Sequence, residues 1–187
     1  MVDIFHDFQR DFAVIQECEN RSILEKFKNE INYSDILWYG QNKNKGLCIL
    51  TFDKYCIKNK IQKEEFKYVL PVQIGNDISS MNLIAVWTQF VNKNIYESYV
   101  VQAARAFQYY KKVLEEEDIF IIGDFNSNSI WDNESPKEYT HSQMVDLLKQ
   151  EKIESIYHFI KNEKHGKETI PTLFFQKNKK KPYHMSN

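Results

Sequence analysis

The sequence predicts an α/β or α+β sandwich, with strands in the core and helices outside. Three observations predict it. Strand-like segments at 36–39, 46–52, 66–74 and 82–88 follow one another with only polar turns between them. The stretch 95–117 brings Val100, Val101, Ala104, Phe107, Tyr110 and Leu114 back every three or four residues, the period of a helix with one buried face. Compact apolar runs at 12–15 and 119–122 have the character of buried strands.

Taken in order, Ile4, Phe5, Phe8 and Phe12 stand at helical spacing and predict a short amphipathic helix almost from Met1. Phe12-Ala13-Val14-Ile15 then forms a strand that stops at Gln16-Glu17, with a carboxylate at its end. Asn20 or Ser22 caps the helix that follows, which carries Ile23, Leu24, Phe27 and Ile31 on one side. Polar residues 41–45 suit a turn, and the successive strands without intervening helices imply antiparallel pairing. After the long helix, 119–122 is read as a fully apolar central strand and 142–152 as a second amphipathic helix. Segments 153–160 and 172–176 are further strand candidates. The lysine-rich tract 177–181 reads as a solvated hairpin turn, with a local phosphate-attracting patch as the alternative.

Composition limits the functions available. A length of 187 residues fits one domain, 1–187. With 25 Lys+Arg against 26 Asp+Glu the net charge is -1, so no bulk field draws the molecule to nucleic acid or anionic lipid, and any phosphate affinity has to be local. Cys18, Cys48 and Cys56 are odd in number and lack a CxxC spacing, which argues against a disulfide framework and a zinc site. No apolar stretch is long enough to span a bilayer and the first residues are not those of a signal peptide, so a cytoplasmic chain without membrane partners is expected. His6, His141, His158, His165 and His184 show no metal-ligand spacing, and all but His184 are assigned to packing or to the surface.

The chemistry concentrates at Gly123-Asp124-Phe125-Asn126, directly after the apolar strand. In extended chain, side chains two residues apart point the same way, so Asp124 and Asn126 can share a pocket. The carboxylate can bind a hard cation or orient a water, and the neutral amide can donate to a phosphate oxygen without repelling it. Asp and Asn after a Gly also cap turns through hydrogen bonds to the backbone, and the pair alone does not separate the two uses.

This run resembles the GDFN motif of the endonuclease/exonuclease/phosphatase superfamily, which includes pancreatic deoxyribonuclease, apurinic endonucleases, sphingomyelinases and inositol phosphatases. Ser127-Asn128 and Trp131-Asp132 extend it in the manner of many bacterial members. Ala13-Val14-Ile15-Gln16-Glu17 is similar to the family's strand ending in Gln-Glu, Lys45-Gly46-Leu47-Cys48-Ile49 to its next Gly-led strand, and Pro182-Tyr183-His184 to the start of a later motif. The resemblance implies a two-sheet sandwich flanked by helices, a four-layer αββα fold. It implies Glu17 as ligand of Mg2+, with Mn2+ as the alternative ion. Asp124 becomes the residue that orients or deprotonates the attacking water, Asn126 the holder of the scissile phosphate, and His184 a substrate contact. The implied reaction is hydrolysis of a phosphodiester or phosphomonoester by in-line attack of water, with DNA and RNA among the candidate substrates.

The sequence also departs from the family. The Asn-bearing first strand is missing ahead of Met1, and Met185-Ser186-Asn187 stand where the family continues to an Asp-bearing strand and an Asp-His pair. Trp87 or Thr88 occupies the place of a phosphate-binding His, and either Tyr96 or Tyr99 can supply a family tyrosine. These departures lead to the expectation of a domain truncated at both ends, with weak magnesium binding, slow turnover and uncovered sheet edges that favour a homo-oligomer. A non-catalytic binding or regulatory module on the same fold is the alternative.

Overall fold

A computed structural model of the chain describes residues 10–61, 63–91, 94–97, 99–174, 178–180 and 182–185, so the helix expected through Ile4, Phe5 and Phe8 lies outside the described residues. The chain divides into two compact units, 1–87 with 116–123 and 88–115 with 124–187.

The first unit is built on β3, Lys45–Phe52, whose residues are almost all buried. It lies between β1, Phe12–Cys18, and β2, Tyr33–Asn42, in the order β1-β3-β2. Both pairings are antiparallel, with Ile15 opposite Cys48 and Leu37 opposite Ile49. Period-two alternation divides β3 between two cores. Cys48, Leu50 and Phe52 pack with Leu24, Ile31, Tyr33 and Ile36. Leu47 and Ile49 face the other way, against Leu70, Val72, Ile74, Leu83, Ala85 and Trp87 of a second sheet. Each fully buried Leu or Ile of this kind contributes roughly 1.5–3 kcal/mol, so a strand lined on both faces locks the two sheets together. Of the two candidate caps, Asn20 serves: its side chain accepts from the Ile23 N–H. The helix itself is interrupted, running as α1, Arg21–Leu24, a 3-10 turn, and α2, Lys28–Ile31, which ends where Asn32 turns left-handed at φ 56°.

The second sheet has the order β4-β5-β6-β7. Its strands are Cys56–Lys60, Val69–Gly75, Ser80–Trp87 and Ile119–Asp124. The strand expected at 66–74 starts later, because Phe66 closes a 3-10 turn. β5 pairs antiparallel with β4 and with β6. Strand β7 runs the same way as β6: the Asn82 N–H donates to the Asp118 carbonyl at one end, and Gly123 lies against Val86 at the other. A parallel neighbour needs a long crossover, which 88–118 supplies. The apolar strand expected at 119–122 is present, but its central position is corrected. Within this sheet β7 is at the edge and alternates, with Phe120 44% and Ile122 36% exposed.

The second unit holds the remaining helices. The single helix expected over 95–117 is instead a 3-10 turn at Ile95–Glu97, then α3, Val100–Tyr109, and α4, Lys111–Leu114, broken at Tyr110. Its buried face is still the one the period indicates, with Val101, Ala104, Phe107 and Leu114 nearly inaccessible. Helix α5, His141–Gln150, begins with a capping box of Thr140 and Gln143. The segment read as a strand at 153–160 is a helix, α6, Ile156–Lys161, with Ile156, Phe159 and Ile160 exposed. Two-residue strands β8, Leu173–Phe174, and β9, Pro182–Tyr183, pair antiparallel across a turn where Lys179 and Lys180 are exposed. Lys177 and Lys181 lie outside the described residues. No helix among the described residues is long and apolar enough to cross a membrane.

Candidate active site

Gly123 ends the apolar part of β7 in a conformation closed to other residues. Its φ is +147°, and a Cβ there would stand 1.9 Å from the Val86 carbonyl oxygen. Asp124 follows as the last residue of β7. Phe125 is buried and packs on Phe107 with ring centroids 6.1 Å apart. Asn126 then turns left-handed at φ 48°, a conformation that Asn tolerates better than most residues.

That turn replaces the extended geometry expected for the pair, yet it brings the two side chains into direct contact. The Asn126 backbone N–H donates to Asp124 Oδ1 at 3.1 Å, and Asn126 Nδ2 donates to Oδ2 at 2.7 Å. The same amide donates to the Thr88 carbonyl at 3.0 Å. Asn126 therefore fixes the plane of the carboxylate, and both of its amide hydrogens are committed.

Thr88, offered by the sequence only with Trp87 in the place of a phosphate-binding histidine, is a main-chain clamp. It is 1% exposed, its N–H donates to the Asp124 carbonyl at 2.9 Å, and its hydroxyl donates to the Phe125 carbonyl. It clamps the main chain on both sides of the Asp124–Phe125 link. The signal for it was its place directly after β6. Trp87 is buried edge-on against Tyr68. Beside Asn126 opens a cavity of about 550 Å³, lined by Phe90, Tyr99, Trp131 and Tyr183 among others. Tyr99 reaches it, whereas Tyr96 is not among the lining residues.

Glu17 belongs to the first unit, at the end of β1 with φ 54°. Its carboxylate is 61% exposed and accepts from Lys45 Nζ at 3.0 Å. Carboxylate oxygens are the donors that a hard divalent cation prefers, so the residue suits such an ion, with the Lys45 ammonium as its present counter-charge.

His184 is buried, its Nδ1 bonded to the Ile170 carbonyl at 2.8 Å, while its own carbonyl accepts from Asn128 Nδ2 at 2.9 Å. It joins a group of histidines that spacing did not reveal. His141 Nδ1 meets Ser127 Oγ at 2.9 Å and His141 Nε2 meets His165 Nδ1 at 3.2 Å. His158 stacks on His165 with centroids 3.6 Å apart and bonds Glu168 Oε1 at 3.0 Å. His141, His158 and His165, assigned from the sequence to packing or to the surface, lie far apart in the chain and converge here, with His141 fully buried. Burial pulls His141 down to about 4, and burial with the neighbouring His158 and His141 does the same to His165. Desolvation opposes ionisation of Glu168, but hydrogen bonds from its own N–H, the Gly166 N–H, His158 and Asn128 outweigh it and hold the carboxyl at about 2.

Among solved structures, an AP endonuclease from Archaeoglobus fulgidus superposes over 99% of this chain and 78% of its own, with a TM-score of 0.64 and 16% identity. The chain has the endonuclease/exonuclease/phosphatase fold. A truncated Caenorhabditis elegans TDP2 shares this fold over 67% of the chain at TM-score 0.50 and 12% identity, and a Staphylococcus aureus beta toxin over 79% at 0.52 and 16%. The chain spans only 53% of that TDP2 structure and 40% of two further TDP2 structures. No protein-family model and no curated protein sequence matches it.

Proposed function

We propose that the chain hydrolyses phosphoesters with a divalent metal, Mg2+ before Mn2+, acting on a phosphodiester or phosphomonoester with nucleic acid among the substrates. The observation that carries this reading is the Asp124–Asn126 latch at the end of β7, a carboxylate held by two hydrogen bonds from one neighbour in a superfamily fold. The structural relatives include an AP endonuclease, which supports the same reaction class.

Asp124 is the residue that orients the attacking water and draws off its proton, and its fixed plane removes the entropy of finding that geometry. Asn126 holds Asp124 in place and, as substrate arrives, exchanges its bond to Oδ2 for one to a phosphoryl oxygen. Glu17 is the carboxylate that holds the metal, giving up its contact with Lys45. When bound, the metal supplies electrostatic stabilisation of charge on the phosphoryl group. The cavity beside Asn126, with Phe90, Tyr99, Trp131 and Tyr183, suits an aromatic or apolar portion of the substrate, a nucleobase included. His184, bonded inward to the Ile170 carbonyl, supports this side of the site through its contact with Asn128.

The test is magnesium-dependent turnover of an aryl phosphodiester and of DNA by the full chain. Turnover that requires the metal and falls at least about a hundredfold in Asp124→Ala supports the reading. Absence of turnover with every divalent ion moves the chain to a binding module on the same fold.

A further inference from the structure

The histidines behind the Asn126 turn form a built site. His158 on α6, with His165 and Glu168 from the loop that follows, places ligand atoms all within 4.8 Å of one another. Two imidazoles and a carboxylate are the donor set of late first-row divalent ions, whereas Mg2+ prefers oxygens and water. We propose that His158, His165 and Glu168 bind Zn2+, with a water as the fourth ligand, and that this ion staples the segment that follows Asn126.

The backbone is arranged to bring the three together. Asn162 ends α6 in the left-handed conformation, and Gly166, at φ +82°, turns the chain back toward it. A side chain at Gly166 would stand 2.4 Å from Ser129 Oγ, so the loop lies tight on the segment after Asn126. The outer partners are those of a metal site. His158 Nδ1 bonds Ser155 Oγ at 2.8 Å, which directs its Nε2 to the ion. His165 Nδ1 bonds His141 Nε2 at 3.2 Å, which leaves its Nε2 for the ion, and His141 is itself held by Ser127 Oγ. Glu168 Oε1 accepts from Gly166 N–H at 2.8 Å and from Asn128 Nδ2 at 3.1 Å, and the Glu168 N–H also donates to the carboxylate, so the group is held in place for the ion. Such outer hydrogen bonds fix tautomers and ring orientation at metal centres. The ion replaces the bond between His158 Nε2 and Glu168 Oε1 and opens the stack of the two imidazoles. Because Ser127 and Asn128 are the residues that bond to the cluster, its ordering passes directly to Asn126 beside them.

The site stands on its own residues and does not depend on the proposed reaction. The test strips the 187-residue chain with a chelator and titrates it with Zn2+ by calorimetry and with Co2+ by visible absorption. One equivalent is expected to bind, raise the melting temperature and, as Co2+, give the ligand-field bands of an imidazole and carboxylate site. Glu168→Gln and His165→Ala are each expected to weaken binding at least about tenfold, while Glu25→Gln, in an exposed surface pair with Arg21, binds as the parent does. Folding of each variant is checked by circular dichroism. If the folded parent shows no saturable uptake, or if folded Glu168→Gln and His165→Ala bind as the parent does, the cluster is a metal-free hydrogen-bonded knot and the proposal fails. The Co2+ spectrum of the parent decides the matter even where a variant does not fold.

Discussion

Gly123→Ala tests how the strand before the site is held. The added Cβ would lie 1.9 Å from the Val86 carbonyl oxygen and 2.8 Å from the Val86 carbon and nitrogen. All three are main-chain atoms of β6, so no side chain can swing away, and relief requires β7 to move off its neighbour by about 1 Å against its own hydrogen bonds. The φ of +147° adds strain for any residue with a Cβ. A strained backbone costs about 1–3 kcal/mol and an overpacked core about as much again, giving a loss of about 4 kcal/mol. For a chain of this length that corresponds to a fall in melting temperature of about 8–16 °C. Thermal unfolding followed by circular dichroism reads it directly. A variant melting within about 2 °C of the parent would refute the close approach of β6 and β7 and, with it, the reason given for glycine ahead of Asp124.

Other residues make separate claims. Thr88→Val keeps the side-chain volume but leaves the buried Phe125 carbonyl without its donor; urea denaturation should show a loss of about 1–3 kcal/mol, with Thr88→Ser close to the parent. Lys45→Met removes the counter-charge from Glu17, and calorimetry should show Mg2+ binding several-fold tighter with stability unchanged, because the pair is exposed. His141 has a folded pKa of about 4, below its ordinary 6.5, so its neutral form contributes stability that is complete above pH 6.5 and lost as pH falls toward 4. Denaturation of chelator-treated protein across that window should show a loss to which His141 contributes about 3 kcal/mol, and His141→Gln should remove that share and leave the part due to His165. Glu168, held at about 2 against an ordinary 4.5, adds a loss of the same sign below pH 4.5.

Strands with a strong apolar pattern were legible in the sequence, and β3 is the plainest case, since every residue after Lys45 is buried. Strand β4 was not: Cys-Ile-Lys-Asn-Lys offers one large apolar residue, and its lysines suit the sheet edge it occupies. The run from Ile153 to Ile160 misled because a short apolar segment has no period of its own; the chain makes α6 there and leaves Ile156, Phe159 and Ile160 exposed. At the site, Gly-Asp-Phe-Asn located the pair, but the left-handed turn at Asn126 that joins the two side chains is a tertiary result of Thr88 accepting from the amide. The histidine cluster had no signal, because His141 lies on α5 while His158, His165 and Glu168 share no recognised metal spacing.

The central claim is that Asp124 and Asn126 act as one device, and a double-mutant cycle on metal-dependent phosphodiester hydrolysis tests it most directly. Asp124→Ala and Asn126→Ala are each expected to lower kcat by about 10²–10⁴, and the double variant to be no slower than the worse single one, since each side chain works through the other. Losses that multiply in the double variant, or a single variant that keeps the parent rate, would contradict it.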